Sequence, residues 1–289
     1  MILTTAEIVK KVRELEIRSK KLTRHLFSGE YHSAFKGRGM SFKEVREYHH
    51  GDDVRFIDWN VSARFNHPFS KMFEEERELT VMLLIDISAS ALFGTIKSKT
   101  DLVTEIAAVL TFSAISNNDK TGVIFFSNQV EQYIPPKKGR DHGLYIVREL
   151  LTAEPGNRGT SLATALRRLN NATRQRCICF VLSDFIDTGF EDALKVAGRK
   201  HDLIGIKVYD KMDMVLPYAG LMNVRDPETG TIRLIDSADF LVRKTYEEDF
   251  LAHSAYCKSV FQKAGCDLLH IRTDDDYVKV LQKFFISRN

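Results

Sequence analysis

The feature that most constrains the fold is a pair of apolar runs, at residues 80–87 and 177–182. Almost every residue in them is apolar, so neither shows the alternation typical of a strand with one solvated face. Strands of this kind lie in the middle of a parallel sheet that helices cover on both faces. The two runs therefore predict an α/β protein with a buried central sheet.

The segments around these runs alternate between strand and helix patterns, which is typical of βα units. We predict further strands at 122–127, 132–134, 203–208 and 268–272, and helices at 99–116, 141–151, 162–172, 191–200, 238–262 and 274–286. The segment 128–131 is too short for a crossover helix, so the strands on either side of it form an antiparallel pair at one edge. The predicted fold class is a doubly wound, Rossmann-like, mainly parallel sheet with an antiparallel edge strand.

The N-terminal part has a different character. Residues 6–27 carry an amphipathic helix pattern, and residues 28–73 are rich in Gly, Arg, Asp and aromatic side chains, which predicts short strands and turns in a small module. Gly37-Arg38-Gly39 is interpreted as a tight turn. Arginines and aspartates alternate through the module, so we expect internal guanidinium–carboxylate pairs among Arg46, Arg55, Arg64, Asp52, Asp53 and Asp58.

These patterns predict two parts. Residues 1–77 hold the N-terminal helix and the β-rich module, and residues 78–289 hold the α/β domain. An inserted hairpin is predicted at about 220–236, with its turn at 226–230, because turn-forming residues separate two short strand patterns.

Bulk composition excludes several classes of function. A net charge of +3 over 289 residues is too small to predict nucleic acid or an anionic membrane as the partner. No segment has the run of about twenty apolar residues that crosses a bilayer. Residues 1–5 are not a basic region followed by an apolar core, so we expect a cytoplasmic protein.

Polar side chains follow the two apolar runs where each strand ends. Asp86 lies at the end of the first run and is followed by Ser88 and Ser90, and Asp184 follows the second run. Thr160 directly precedes a predicted helix between them. Because loops at the carboxyl ends of parallel strands meet at one edge, we expect these oxygens to converge. Hydroxyl and carboxylate oxygens suit Mg²⁺, with Mn²⁺ as a substitute.

The order Asp-x-Ser-x-Ser, Gly-Thr, Ser-Asp resembles the metal-ion-dependent adhesion site of von Willebrand factor A (vWA) domains. The resemblance implies a vWA-like fold from about residue 80 onward. It also implies that Ser88 and Ser90 coordinate the ion directly, Thr160 directly or through water, and Asp86 and Asp184 largely through waters. A site with so few fixed charges leaves the ion free to recruit an acidic group from a protein partner.

The N-terminal part extends the resemblance to nearly the whole chain. It is similar to the signature of the bacterial domain-of-unknown-function family 58, whose members carry this segment ahead of a vWA domain. The matching run is Gly37-Arg38-Gly39-x-x-Phe42, Arg46-Glu47-Tyr48-x-x-Gly51-Asp52-Asp53-x-Arg55-x-Ile57-Asp58-Trp59-x-x-x-Ala63-Arg64. The resemblance implies an adaptor or co-chaperone of a MoxR-type AAA+ ATPase.

Other uses of the same residues stay open. A metal-dependent phosphohydrolase would use Asp86 and Asp184, although phosphatases with a nucleophilic aspartate at a strand end place a second Asp two residues on, where this chain has Ser88. A third alternative is a structural scaffold whose site holds no ion. No catalytic base can be assigned from the sequence, so we expect a non-catalytic, Mg²⁺-dependent protein-interaction module.

Overall fold

The computed structural model describes residues 5–26, 41–74, 79–95, 97–153, 159–225 and 230–288. The helices are α1 (Thr5–Leu26), α2 (Trp59–Phe65), α3 (Lys99–Ser116), α4 (Arg140–Thr152), α5 (Leu162–Ala172), α6 (Glu191–Lys200), α7 (Lys211–Met214), α8 (Phe240–Ala264) and α9 (Tyr277–Ser287). The strands are β1 (Ser41–Glu47), β2 (Phe69–Glu74), β3 (Thr80–Asp86), β4 (Lys120–Phe126), β5 (Val130–Lys137), β6 (Ile178–Ser183), β7 (Asp202–Tyr209), β8 (Leu221–Arg225), β9 (Ile232–Asp236) and β10 (Asp267–Arg272). Short 3₁₀ helices span Val54–Phe56 and Ala89–Leu92.

The central sheet has six strands in the order β10-β7-β6-β3-β4-β5. All neighbours pair in parallel except β5, which runs antiparallel to β4 at the edge. This arrangement confirms the predicted fold class. The predicted bounds of β3, β6 and β7 are correct to within one residue, because an uninterrupted apolar run identifies a buried strand well.

Helices cover both faces of this sheet. Alternate residues of β3 point to opposite faces, so Val81, Leu83 and Ile85 join a core under α3 and α9. Met82 and Leu84 join a second core under α5, α6 and α8. The carboxyl ends of β3 and β6 are left between the two helix layers, where their loops form one edge of the domain.

Helix α1 packs on the α/β domain. Val12 and Leu15 contact an apolar cluster formed by α3 and α4. The buried carboxylate of Glu16 accepts a hydrogen bond from Arg140 Nε of α4 at 2.7 Å. Among the described residues no helix is long and apolar enough to cross a membrane.

Strands β1 and β2 pair antiparallel and form a small sheet of their own. Two guanidinium–carboxylate pairs of the predicted kind are present, Arg46 with Asp52 at 2.7 Å and Arg55 with Asp53 at 2.6 Å. Asp58 instead lies 3.4 Å from Lys71. The predicted turn at Gly37-Arg38-Gly39 lies outside the described residues.

The sequence did not predict helix α2 in this module. Its signal is Asp58, whose carboxylate accepts hydrogen bonds from the backbone N–H groups of Asn60 and Val61 and so caps the helix. The helix ends at Asn66, which adopts the left-handed conformation with φ 60°. A helix of this length shows too few turns for its periodicity to stand out.

Strands β8 and β9 form an antiparallel hairpin between α7 and α8. Residues 226–229 of the predicted turn lie outside the described residues. The division of the chain into residues 1–77 and 78–289 stays a prediction.

The contact between β7 and α8 generates a stability prediction. A Cβ atom added at Gly205 would lie 2.6 Å from ring atoms of Phe261. Both residues are buried. We expect Gly205→Ala to lower the free energy of unfolding by about 1–3 kcal/mol through overpacking, measured by urea denaturation. In a Phe261→Leu background the same substitution should cost less. An equal cost in both backgrounds would contradict this explanation.

Candidate metal site

Asp86 is the last residue of β3 and is 4% exposed. Its Oδ1 atom accepts a hydrogen bond of 2.9 Å from the backbone N–H of Ser88. Its Oδ2 atom accepts one of 2.6 Å from the hydroxyl of Ser183, the last residue of β6. The carboxylate thus ties together the ends of two neighbouring central strands.

Ser88 and Ser90 are both buried. Their hydroxyl oxygens lie 3.1 Å apart, with Ser88 capping the 3₁₀ turn and Ser90 lying within it. The structure therefore brings together Asp86, Ser88 and Ser90 as the sequence predicts. The role of Ser183 as the hydrogen-bond donor to Asp86 was not predicted.

Asp184 follows β6 and is also buried. The next residue, Phe185, has φ 56°, a strained conformation for a bulky side chain. Two contacts hold it there: its N–H donates to Ser183 Oγ at 2.9 Å, and its ring packs edge-on against Phe261 at a centroid distance of 5.3 Å. The backbone directly after Asp184 is therefore held in one conformation, which fixes the position of the Asp184 carboxylate.

Lys99 is a site residue that the sequence reading missed. It is the first residue of α3, it is 3% exposed, and its Nζ lies 2.9 Å from Asp184 Oδ2 and 3.4 Å from Asp213 Oδ2. Burial alone would lower the pKa of Lys99, but the charges of Asp184 and Asp213 outweigh it and raise the pKa above its usual value. One signal could have identified this residue, since a lysine at a helix N-terminus opposes the helix dipole.

Thr160 lies on the loop before α5. The N–H of Ser161 donates to the Ser127 carbonyl after β4 at 2.7 Å, and the N–H of Leu162 donates to the Asp187 carboxylate after β6 at 2.8 Å. Because β3 lies between β4 and β6, this loop spans the end of β3. The Thr160 hydroxyl oxygen is buried and has no hydrogen-bond partner.

A hydrogen-bond network around Asp210 fixes the position of Asp213, the second carboxylate that contacts Lys99. The fully buried Asp210 carboxylate accepts hydrogen bonds from Thr95, from Thr273 and from the N–H of Met212 at the start of α7. In return, Asp213 Oδ2 accepts from the N–H of Asp210 at 2.7 Å. The network holds Asp213 in the position where it contacts Lys99.

The environment of Asp86 disfavours its charged form. Burial, and then the nearby charge of Asp184, raise the pKa of Asp86 to about 7, although the hydrogen bonds from Ser183 and Ser88 oppose the shift. A cation placed between the two carboxylates would remove the repulsion between them. The site is therefore electrostatically suited to a positive ion.

The donor set fits Mg²⁺ in its chemistry. It comprises two carboxylates and three hydroxyls, and hard oxygen donors are what Mg²⁺ prefers. The unpartnered Thr160 hydroxyl is a buried oxygen for which an ion or its water would supply a partner. Among the residues that the structure describes, no group of three or more His, Cys, Asp and Glu side chains is arranged to hold a metal, and this hydroxyl-rich set has a different composition.

The raised pKa of Asp86 predicts a pH-dependent stability. Its folded pKa of about 7 exceeds the usual aspartate value of 3.8, so the folded state binds the extra proton between these values and stability falls as pH rises through this window. The loss approaches about 1.4 kcal/mol per pH unit. We expect Asp86→Asn, measured by urea denaturation in chelator, to be more stable than wild type at pH 8, with the difference shrinking toward pH 5.

Glu247→Gln is the control for this comparison. Glu247 is an exposed carboxylate on α8, so its neutralisation should change stability little at either pH. A parallel pH dependence in wild type and Asp86→Asn would contradict the assignment to Asp86.

Two solved structures share this fold. The conserved hypothetical protein BatB from Bacteroides thetaiotaomicron is 16% identical with a TM-score of 0.50, and the match covers 73% of this chain and 98% of that chain. An aerotolerance-related membrane protein from Bacteroides fragilis is 15% identical with a TM-score of 0.51, covering 72% and 99%. At these identities the likeness shows the fold alone.

Sequence comparison identifies the family. Uncharacterized protein Rv1480 of Mycobacterium tuberculosis is 32% identical over 282 residues, covering 96% of this chain and 88% of the relative. The family described as "Protein of unknown function DUF58" matches residues 44–256, a span that includes part of the N-terminal module and the candidate metal site. The chain therefore belongs to the DUF58 family.

Proposed function

We propose that this protein is a non-catalytic, Mg²⁺-dependent protein-interaction module. The observation that carries the proposal is the convergence of buried oxygens at one sheet edge, where Asp86, Ser88 and Ser90 are linked by hydrogen bonds and the unpartnered hydroxyl of Thr160 lies on the loop that spans them. A vWA-like fold with such an edge is suited to recognition.

The proposed roles follow the donor types. Ser88 and Ser90 would hold Mg²⁺ through their hydroxyls, and Thr160 would do so directly or through water. Asp86 and Asp184 would act largely through bound waters, because both carboxylates already accept hydrogen bonds from the protein. Mn²⁺ would substitute, since it accepts the same oxygen donors.

Recognition is favoured over catalysis by the charge of the site. The candidate ligand set holds two carboxylates, and one of them is paired with a buried ammonium. A cation held with so little compensating charge keeps a strong attraction for a further anionic ligand. An acidic side chain of a protein partner would supply it.

The proposed partner is a MoxR-type AAA+ ATPase, for which this protein would act as adaptor or co-chaperone in the cytoplasm, in protein-complex assembly or in a stress response. Membership of the DUF58 family and the Arg- and Asp-rich module ahead of the α/β domain support this choice.

The direct test removes the Asp86 carboxylate. We expect Asp86→Ala to abolish saturable Mg²⁺ binding in calorimetry and to abolish capture of a purified MoxR-type ATPase, because it removes the carboxylate that joins the ends of β3 and β6. The variant also separates this ion from the Mg²⁺ that an ATPase needs for its own nucleotide. Unchanged capture by a folded Asp86→Ala protein would refute the proposal, and Glu247→Gln serves as the charge control.

The phosphohydrolase alternative uses the same edge and has its own test. Pure protein is incubated with Mg²⁺ and a panel of phosphoesters. We expect no turnover, since Asp184 is paired with Lys99. In addition, Ser88 stands two residues after Asp86, where such phosphatases have a second aspartate. Turnover by the wild type that is lost in Asp184→Asn would refute the interaction-module proposal and show that the protein is an enzyme.

A further inference from the structure

Lys99 occupies a position that is unfavourable on two counts. Its ammonium is buried at the sheet edge, and burial of a charge costs several kcal/mol before any pairing. It also stands at the N-terminus of α3, where the helix dipole repels a cation. An apolar side chain of similar length would avoid both costs but would leave Asp184 and Asp213 without their ammonium.

The contacts of the ammonium explain what it does there. Lys99 Nζ lies between two carboxylates that belong to different elements, 2.9 Å from Asp184 on the loop after β6 and 3.4 Å from Asp213 on α7. Asp184 is one of the candidate metal ligands. Asp213 is not, and its capping contact with Asp210 keeps it fixed beside the lysine.

We propose that Lys99 is a tethered cation that competes with the divalent ion for Asp184 and thereby keeps the affinity of the site for Mg²⁺ low. The inference rests on the proposed function and deepens it. With Lys99 in place, one negative charge of the edge is already neutralised, so an ion gains full compensation only when a partner supplies a carboxylate.

Asp213 makes the competition reversible. When Asp184 turns toward an ion or its water, the ammonium keeps a half-buried carboxylate partner in Asp213, so the site never leaves Lys99 unpaired. The ammonium stays paired throughout this exchange, and no backbone movement is required because Asp213 already contacts Lys99. Metal binding and partner binding are thus coupled through electrostatics at the site itself.

The test measures binding of the metals alone to the full chain. Mn²⁺ binding is followed by the loss of the free-ion electron paramagnetic resonance signal, and Mg²⁺ binding by calorimetry, for wild type and Lys99→Met. We expect Lys99→Met to bind both ions at least tenfold more tightly and to gain more thermal stability from Mg²⁺ than wild type does. Lys97→Met is the matched control, because Lys97 pairs with Glu105 and its loss should change affinity less than twofold.

A second variant acts in the opposite direction. Asp213→Asn keeps an oxygen for the Asp210 N–H but leaves Asp184 as the main partner of Lys99, so we expect several-fold weaker ion binding. A merely structural role for Lys99 would weaken binding in both variants. This variant keeps the inference falsifiable if Lys99→Met does not fold, because unchanged or tighter binding by Asp213→Asn overturns it.

The outcomes separate the inference from the proposed function. Equal or weaker binding by folded Lys99→Met, with saturable binding by wild type, overturns the competition and leaves the interaction module standing. No saturable binding of either ion by wild type or by Lys99→Met overturns both. Binding that appears only in Lys99→Met supports the competition in its strongest form.

Discussion

The hydrogen bond from Ser183 to Asp86 is the interaction on which the site depends. In the parallel register Ile85 lies beside Leu182, so the next residues of β3 and β6 meet where both strands end. A shift of one residue would turn Asp86 toward the opposite face of the sheet and separate it from Ser183. The apolar residues of the two strands therefore position the polar site, because their burial in two cores fixes the register.

Three buried carboxylates at this edge are stabilised in three different ways. Asp210 accepts hydrogen bonds from four donor groups, and these lower its pKa although burial opposes them. Asp184 is paired with an ammonium. Asp86 has two hydrogen-bond donors and a raised pKa, so its charge is the least well compensated. Asp86, the least compensated carboxylate, lies beside the hydroxyls of the candidate site. Asp210, which is well compensated, joins the loops that support the site.

The sequence predicts those parts of this arrangement that depend on local pattern. Apolar runs identify β3 and β6, and polar residues after them identify Asp86 and Asp184. The pairing of Lys99 with Asp184 is not local, since it joins residues 85 positions apart and exists only because the sheet places the start of α3 next to the loop after β6. Helix α2 was missed for the opposite reason, because it is local but too short to show a period.

A site of this composition makes the metal-free fold less stable than it could be. A neutral residue in place of Asp86 would remove a poorly compensated buried charge, whereas the desolvated ammonium of Lys99 is stable only because Asp184 and Asp213 pair with it. Natural proteins depart from the most stable choice mainly where function requires it. Lys99 is in contact with Asp184, and the charge of Asp184 raises the pKa of Asp86. The Asp184 carboxylate is thus attracted by Lys99 and repelled by Asp86, so a cation bound between the two aspartates would relieve the repulsion while it competes with the ammonium for Asp184.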